Sequence, residues 1–125
     1  MFSHIMIGTN DLKRSKTFYD AILGTLDVRP ANIDGHRMFY LTPAGILAVT
    51  EPINGEPATV ANGATIGFAC KTSEQADAWH AAGIAHGGTT CEDPPGVREG
   101  ATGKLYLAYL RDPDGNKLCA LHRMG

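Results

Sequence analysis

The sequence has little of what marks a targeted, cross-linked or nucleic-acid-binding chain. Its three cysteines, Cys70, Cys91 and Cys119, are odd in number and widely spaced, and no C-x-x-C occurs. That usage speaks against a disulfide framework. No run of Lys and Arg is present and the formal net charge is −2, so the electrostatic footprint of a non-specific nucleic-acid binder is missing. No stretch approaches the roughly 18 apolar residues of a membrane-spanning helix. Residues Met1–Ile7 lack a basic segment followed by a longer apolar run, so no signal peptide is expected. A serine nucleophile motif, a phosphate loop and a dinucleotide glycine pattern are also absent. The expectation left standing is a soluble, reduced, cytoplasmic domain with neither nucleic acid nor membrane as a partner.

What is present reads as one globular domain. At 125 residues the chain has room for a single core. An apolar share of 43% against 19% charged residues excludes disorder as the native condition. Fifteen glycines and seven prolines imply many turns between short elements.

The chain also repeats itself. His4–Thr9 reads as a strand with Ile5 and Ile7 on one face. Asn10-Asp11 then offers a helix cap, and Leu12, Tyr19, Ile22 and Leu23 recur at helical spacing until Gly24. Thr65–Cys70 is a second such strand, followed by the capping box Thr72-Ser73-Glu74-Gln75 and a helix burying Ala76, Trp79, Ala82 and Gly83. Further on, the turn Thr42-Pro43-Ala44-Gly45 corresponds to Asp112-Pro113-Asp114-Gly115, each between two strands. Each half reads strand, helix, three strands. The expected fold is α+β: tandem βαβββ modules at about 1–51 and 64–125, with residues 52–63 as their joint. Each sheet curls around a cavity and the helices cover the outer face.

This plan, with His4 on the first strand, the helix Asp11-Leu12…Ser15…Phe18-Tyr19…Leu23-Gly24, and the closing Arg111-Asp112-Pro113-Asp114-Gly115-Asn116-Lys117, resembles the vicinal oxygen chelate superfamily. Glyoxalase I, bleomycin-resistance proteins, fosfomycin-resistance enzymes and extradiol dioxygenases belong to it. The resemblance implies a small-molecule cavity between modules, within a chain or across a homodimer. It also implies one divalent metal (Zn, Ni, Fe or Mn) held by side chains from the first and last strand of each half. Such an ion serves a lyase, isomerase or dioxygenase acting on vicinal oxygens. The corresponding positions here are His4, Val49, Thr65 and Cys119, of which His4 alone is a ligand of the expected kind.

Two readings of the cavity follow. In one, the metal site is remade: Glu51 lies two residues past Val49, and His4, His36 and Glu51 form a two-His, one-carboxylate set. Glu51 is also the candidate proton-moving base. In the other, the protein encloses a small, flat or anionic molecule without metal or chemistry. Either way, alternation places Thr65 and Cys119 on the concave face, with Tyr106 beside them by its match to His36. The Gly- and Pro-rich segment Glu92–Lys104 reads either as a lid, with Arg98 as the partner of a substrate carboxylate or phosphate, or as a solvated β-connection whose Arg98 pairs with Glu99 or with nothing. Cys119 beside Lys117 is either a reactive thiol or, as strand cysteines more often are, an inert small hydrophobe.

Overall fold

The computed structural model describes all 125 residues. The first half forms β1 (His4–Gly8), α1 (Leu12–Gly24), β2 (Asn32–Asp34), β3 (Arg37–Thr42) and β4 (Gly45–Thr50). The second forms β5 (Ile66–Ala69), α2 (Ser73–Ala85), β6 (Thr89–Thr90), β7 (Gly96–Gly100), β8 (Gly103–Arg111) and β9 (Lys117–Arg123). The fold is the expected α+β one, with two helices and two mixed, openly curved sheets.

Both helices start where their capping side chains stand. Asp11 accepts from the Arg14 amide at 3.0 Å, and Thr72 from the Gln75 amide at 3.1 Å. Each side chain satisfies one of the amide donors that a helix N-terminus leaves open. The Gln75 carboxamide oxygen reaches back to the Lys71 amide at 2.7 Å, completing the second start signal. α2 ends before Gly87, whose φ of 100° suits a residue without a Cβ.

Within each sheet the first strand runs parallel to the last, and the rest are antiparallel, giving the orders β1-β4-β3-β2 and β5-β9-β8-β6. β7 forms a hairpin with β8, Gly100 opposite Gly103. Of the two readings of Glu92–Lys104, the β-connection is the one found: the segment is largely strand, because its two glycines close a tight turn and let Val97 and Arg98 join the ladder. No strand of one sheet pairs with the other, so β1 and β5 are edge strands.

The two modules share one core. Phe18, Tyr19 and Ile22 of α1 and Ala76 and Trp79 of α2 are fully buried with Met38, Leu110, Leu118 and Ala120 of the sheets. Full burial of such large side chains stabilises by about 2–3 kcal/mol each. A Cβ on Gly88 would fall 2.5 Å from the Phe18 ring, a measure of how closely the modules approach. The second seam is polar. The Asp114 carboxylate accepts from Thr9 Oγ1 at 2.6 Å, the Asn10 amide at 2.9 Å, Arg14 Nη2 at 2.7 Å and Ser15 Oγ at 3.1 Å. The Asp-Pro-Asp-Gly turn of the second module thus grips the start of the first helix.

Register decides which residues face the helices. Ile5 and Ile7 stand opposite Leu47 and Val49, and Met38 and Tyr40 stand opposite the same two. This set packs toward the helices, and Val49 is 1% exposed. The expected cavity position of Val49, and of Glu51 two residues past it, is therefore corrected. The concave face of β4 carries Ile46, Ala48 and Thr50, opposite His4, Met6 and Gly8. Met6 faces Ala48 as Gly67 faces Cys119, and Phe39 faces Ala48 as Tyr109 faces Cys119. The second β-turn is one residue longer than the first, and with a period of two a single residue exchanges the faces.

Candidate functional site

The concave face of the second sheet is where polar groups gather on an apolar floor. Pairing places Lys117, Cys119 and Leu121 of β9 opposite Arg111, Tyr109 and Leu107 of β8, with Gly67 beside Cys119 on β5 and Arg98 beyond Leu105 on β7. Lys117 lies 5.2 Å from the centre of the Tyr109 ring and makes an ion pair with Glu92. Arg98 Nη2 donates to the carbonyls of Asp93 at 3.1 Å and Pro94 at 3.0 Å, pinning the segment that carries Glu92. A side chain placed on Gly67 would meet nothing within 4 Å, so the floor has an open spot beside Cys119. Residues 60–64 of the joint wall the Lys117 end, enclosing a recess of about 440 Å³ that Arg111 shares.

Burial pushes the Cys119 thiol above its ordinary pKa, and Glu92 adds to the rise. Hydrogen bonding from Tyr109 and the charges of Lys117 and Arg98 offset only part of it. The thiol is thus protonated at neutral pH, the condition of an unreactive cysteine. Tyr109 is likewise raised, by burial first and then by Cys119 and Glu92.

A second cavity, of about 240 Å³, opens at the seam between the edge strands β1 and β5. His4, Leu23, Tyr40, Ile46, Gly67 and Phe68 contribute to its largely apolar lining.

The sequence pattern of the Glyoxalase/Bleomycin resistance protein/Dioxygenase superfamily matches residues 1–120. The chain belongs to that superfamily. Among solved structures, a glyoxalase/bleomycin resistance protein from Albidiferax ferrireducens T118 is 66% identical, with a TM-score of 0.96 and 98% of each chain covered. A glyoxalase-related enzyme from Fulvimarina pelagi is 18% identical over 98% of this chain and 88% of that one, with a TM-score of 0.77. A lactoylglutathione lyase from Agrobacterium tumefaciens is 19% identical over 98% of this chain and 92% of its own, with a TM-score of 0.67. The last two likenesses concern the fold. No curated protein matches.

Against the donor set expected of this superfamily, the residues present do not fit a metal within one chain. His4 is exposed, with Nδ1 2.7 Å from Ser3 Oγ. His36 and Glu51 do meet, Nδ1 to Oε1 at 3.3 Å, but on the surface, with the His36 side chain 86% exposed. His4 stands opposite Ile46 and Glu51 follows Thr50 at the far end of the same strand. At about 3.3 Å per residue, some 16 Å separates the two levels. No group of three or more His, Cys, Asp or Glu side chains converges anywhere in the chain. The expected His4, His36 and Glu51 set is therefore not assembled, and Glu51 lines a separate polar pocket of about 490 Å³ with Thr9 and Asn10.

The other expected site residues divide. Cys119 and Arg98 lie on the concave face of the second sheet, while Thr65 lies exposed just before β5. Tyr106 is on the opposite face, its hydroxyl donating to Asp77 of α2 at 2.6 Å. Its match with His36 carried the same face for both, and that face is the helical one. Tyr109 and Glu92 escaped the sequence reading. Counting by twos back from Arg111 would have found Tyr109. Nothing local marks Glu92, which acts through a non-helical, non-strand segment.

Proposed function

We propose that this superfamily member binds a small molecule on the concave face of its second sheet, and that a second copy of the chain closes the site. The observation that carries the reading is the open spot over Gly67, level with Cys119 and Tyr109 and followed along the same face by Lys117 on one side and the apolar Leu107 and Leu121 on the other. A few placed polar groups on an apolar wall are what a small-molecule site consists of. The helix-facing sides of both sheets are spent on the shared core, so the concave faces look away from it. On the first sheet that leaves Met6 39% and Leu41 56% exposed, beside the unpaired edge β1. Apolar surface and free edge backbone of this kind are what association removes from water. A symmetric pair would set the first module of one chain against the second module of the other. Because the donors for a metal do not converge, no metal-dependent step is assigned.

The test uses a neutral apolar dye, Nile red, on the unmodified protein and on Gly67→Leu. The new side chain enters open space, so the fold and its melting temperature should hold while dye affinity falls at least fivefold. Equal affinity in the two proteins would remove the concave face as the site. Light scattering at micromolar concentration should give twice the 13.3 kDa chain mass, and a monomer would defeat closure by a second copy.

A further inference from the structure

Arg111 and Lys117 stand directly opposite each other where β8 and β9 run into the turn that joins them. Facing residues of an antiparallel ladder share one face, with β-carbons about 4.5–5.5 Å apart, and like charges so placed weaken the pair. Both side chains line the recess of about 440 Å³ whose other wall is residues 60–64 of the joint. That wall is fixed in two ways. The Ala64 amide donates to the Ala61 carbonyl at 3.1 Å, and a Cβ on Gly115 would fall 3.5 Å from Val60 Cγ1. Arg111 is anchored through Nη1, which donates to the Gly115 carbonyl at 2.8 Å, and it has no carboxylate partner. Lys117 pairs with Glu92. Two cations against one carboxylate make this end of the sheet positive in a chain whose net charge is −2.

We propose that this recess binds a small organic phosphate, with Arg111 and Lys117 on its phosphoryl group. The site is separate from the spot over Gly67, which is level with Cys119, two residues from Lys117 along β9. A guanidinium offers a planar fork of donors and an ammonium three rotatable ones, so the two together can serve three terminal oxygens. A phosphate monoester presents three such oxygens and close to two negative charges, whereas a carboxylate presents two oxygens and one charge. Asn62 adds a carboxamide to the lining from the joint, outside the plane of the sheet. The recess lies within the range of about 300–1,000 Å³ usual for small-molecule pockets, so an organic part has room against Val60, Ala61 and Ala64. A bound dianion relieves the repulsion between the two facing cations. Glu92 opposes every anion that reaches Lys117, and a dianion overcomes that opposition better than a monoanion does.

Calorimetry on the full chain with phenyl phosphate, and with benzoate as the carboxylate of similar size, tests this. The unmodified protein should bind phenyl phosphate at least tenfold more tightly than benzoate. Arg111→Met should weaken phenyl phosphate at least tenfold, and Arg111→Lys, which keeps the charge and loses the fork, at least threefold. Glu92→Gln removes the opposing charge at a half-exposed position and should strengthen it at least threefold. Melting temperatures close to that of the unmodified protein show that each variant is folded, and Arg111→Lys carries the test if Arg111→Met is not. Unchanged affinity in the folded Arg111 variants, benzoate bound as tightly as phenyl phosphate, or no phenyl phosphate binding by either the unmodified protein or Glu92→Gln each overturns the proposal. Nile red reads the Gly67 spot separately and should bind the folded Arg111 variants as it binds the unmodified protein. Its loss there in step with phenyl phosphate would make the two sites one, and the separate recess would fall. Failure of Nile red to bind at all, with the Arg111 effects as expected, removes the Gly67 reading and leaves the phosphate site standing.

Discussion

The Tyr19 hydroxyl donates to Asp112 Oδ2 at 2.5 Å, joining the middle of α1 to the turn that begins the last strand. Both residues are buried, and burial first, then the Asp112 charge, pushes the Tyr19 phenol well above its usual pKa. Asp112 also accepts from the Asp114 and Asn116 amides, each at 2.9 Å, so one carboxylate shapes the turn and holds the helix of the other module.

Tyr19→Phe leaves Asp112 short of a donor without opening a large cavity, and should cost about 1–3 kcal/mol in urea unfolding. Asp114→Ala removes the one acceptor shared by Thr9, the Asn10 amide, Arg14 and Ser15 at the same seam and should cost roughly 3 kcal/mol. Arg14→Ala, removing the half-exposed partner of Asp114, should cost under about 1 kcal/mol. A loss below about 0.5 kcal/mol for either of the first two would mean that the polar seam does not hold the modules together.

Acid should weaken the first module through Asp20. Burial raises its pKa, but hydrogen bonds from Lys16, Tyr40 and the Ala31 amide outweigh that and bring it below its ordinary value. A folded pKa below the unfolded one means stabilisation that is complete above about pH 4 and is lost as pH falls through the folded value. The urea midpoint should therefore fall between pH 5 and pH 3, and fall less steeply in Asp20→Asn. Identical slopes for the two proteins would take Asp20 out of the acid response.

Zn, Ni, Fe or Mn supplied after chelation should not be retained at one equivalent per chain, since the donors do not converge. Metal analysis after desalting checks this, with His4→Ala alongside. One equivalent retained by the unmodified protein and lost in His4→Ala would restore a metal site at the first strand.

Most of the fold was legible because its signals are local. Asp11 and Thr72 cap the two helices at the positions their hydrogen-bonding capacity required, and Ile5 and Ile7 kept the shared face that alternation assigned. The site was legible only in pieces. Cys119 and Arg98 came out on the concave face, while Tyr106 went to the helix side and His36 and Glu51 to an exposed pair.

By itself the sequence determined the duplication, the helix starts, the paired turns and the family, because each resides in a few neighbouring residues. Tertiary structure decided the rest. One extra residue in the second β-turn shifts the correspondence of the two last strands, so that Ala48 and not Val49 matches Cys119, and Val49 lies in the core. Close packing of both modules around the helices left the concave faces uncovered, and brought Glu92 to Lys117 across 25 residues of chain. Side-chain direction in a strand has a period of two, so register, which only folding fixes, decides which groups meet.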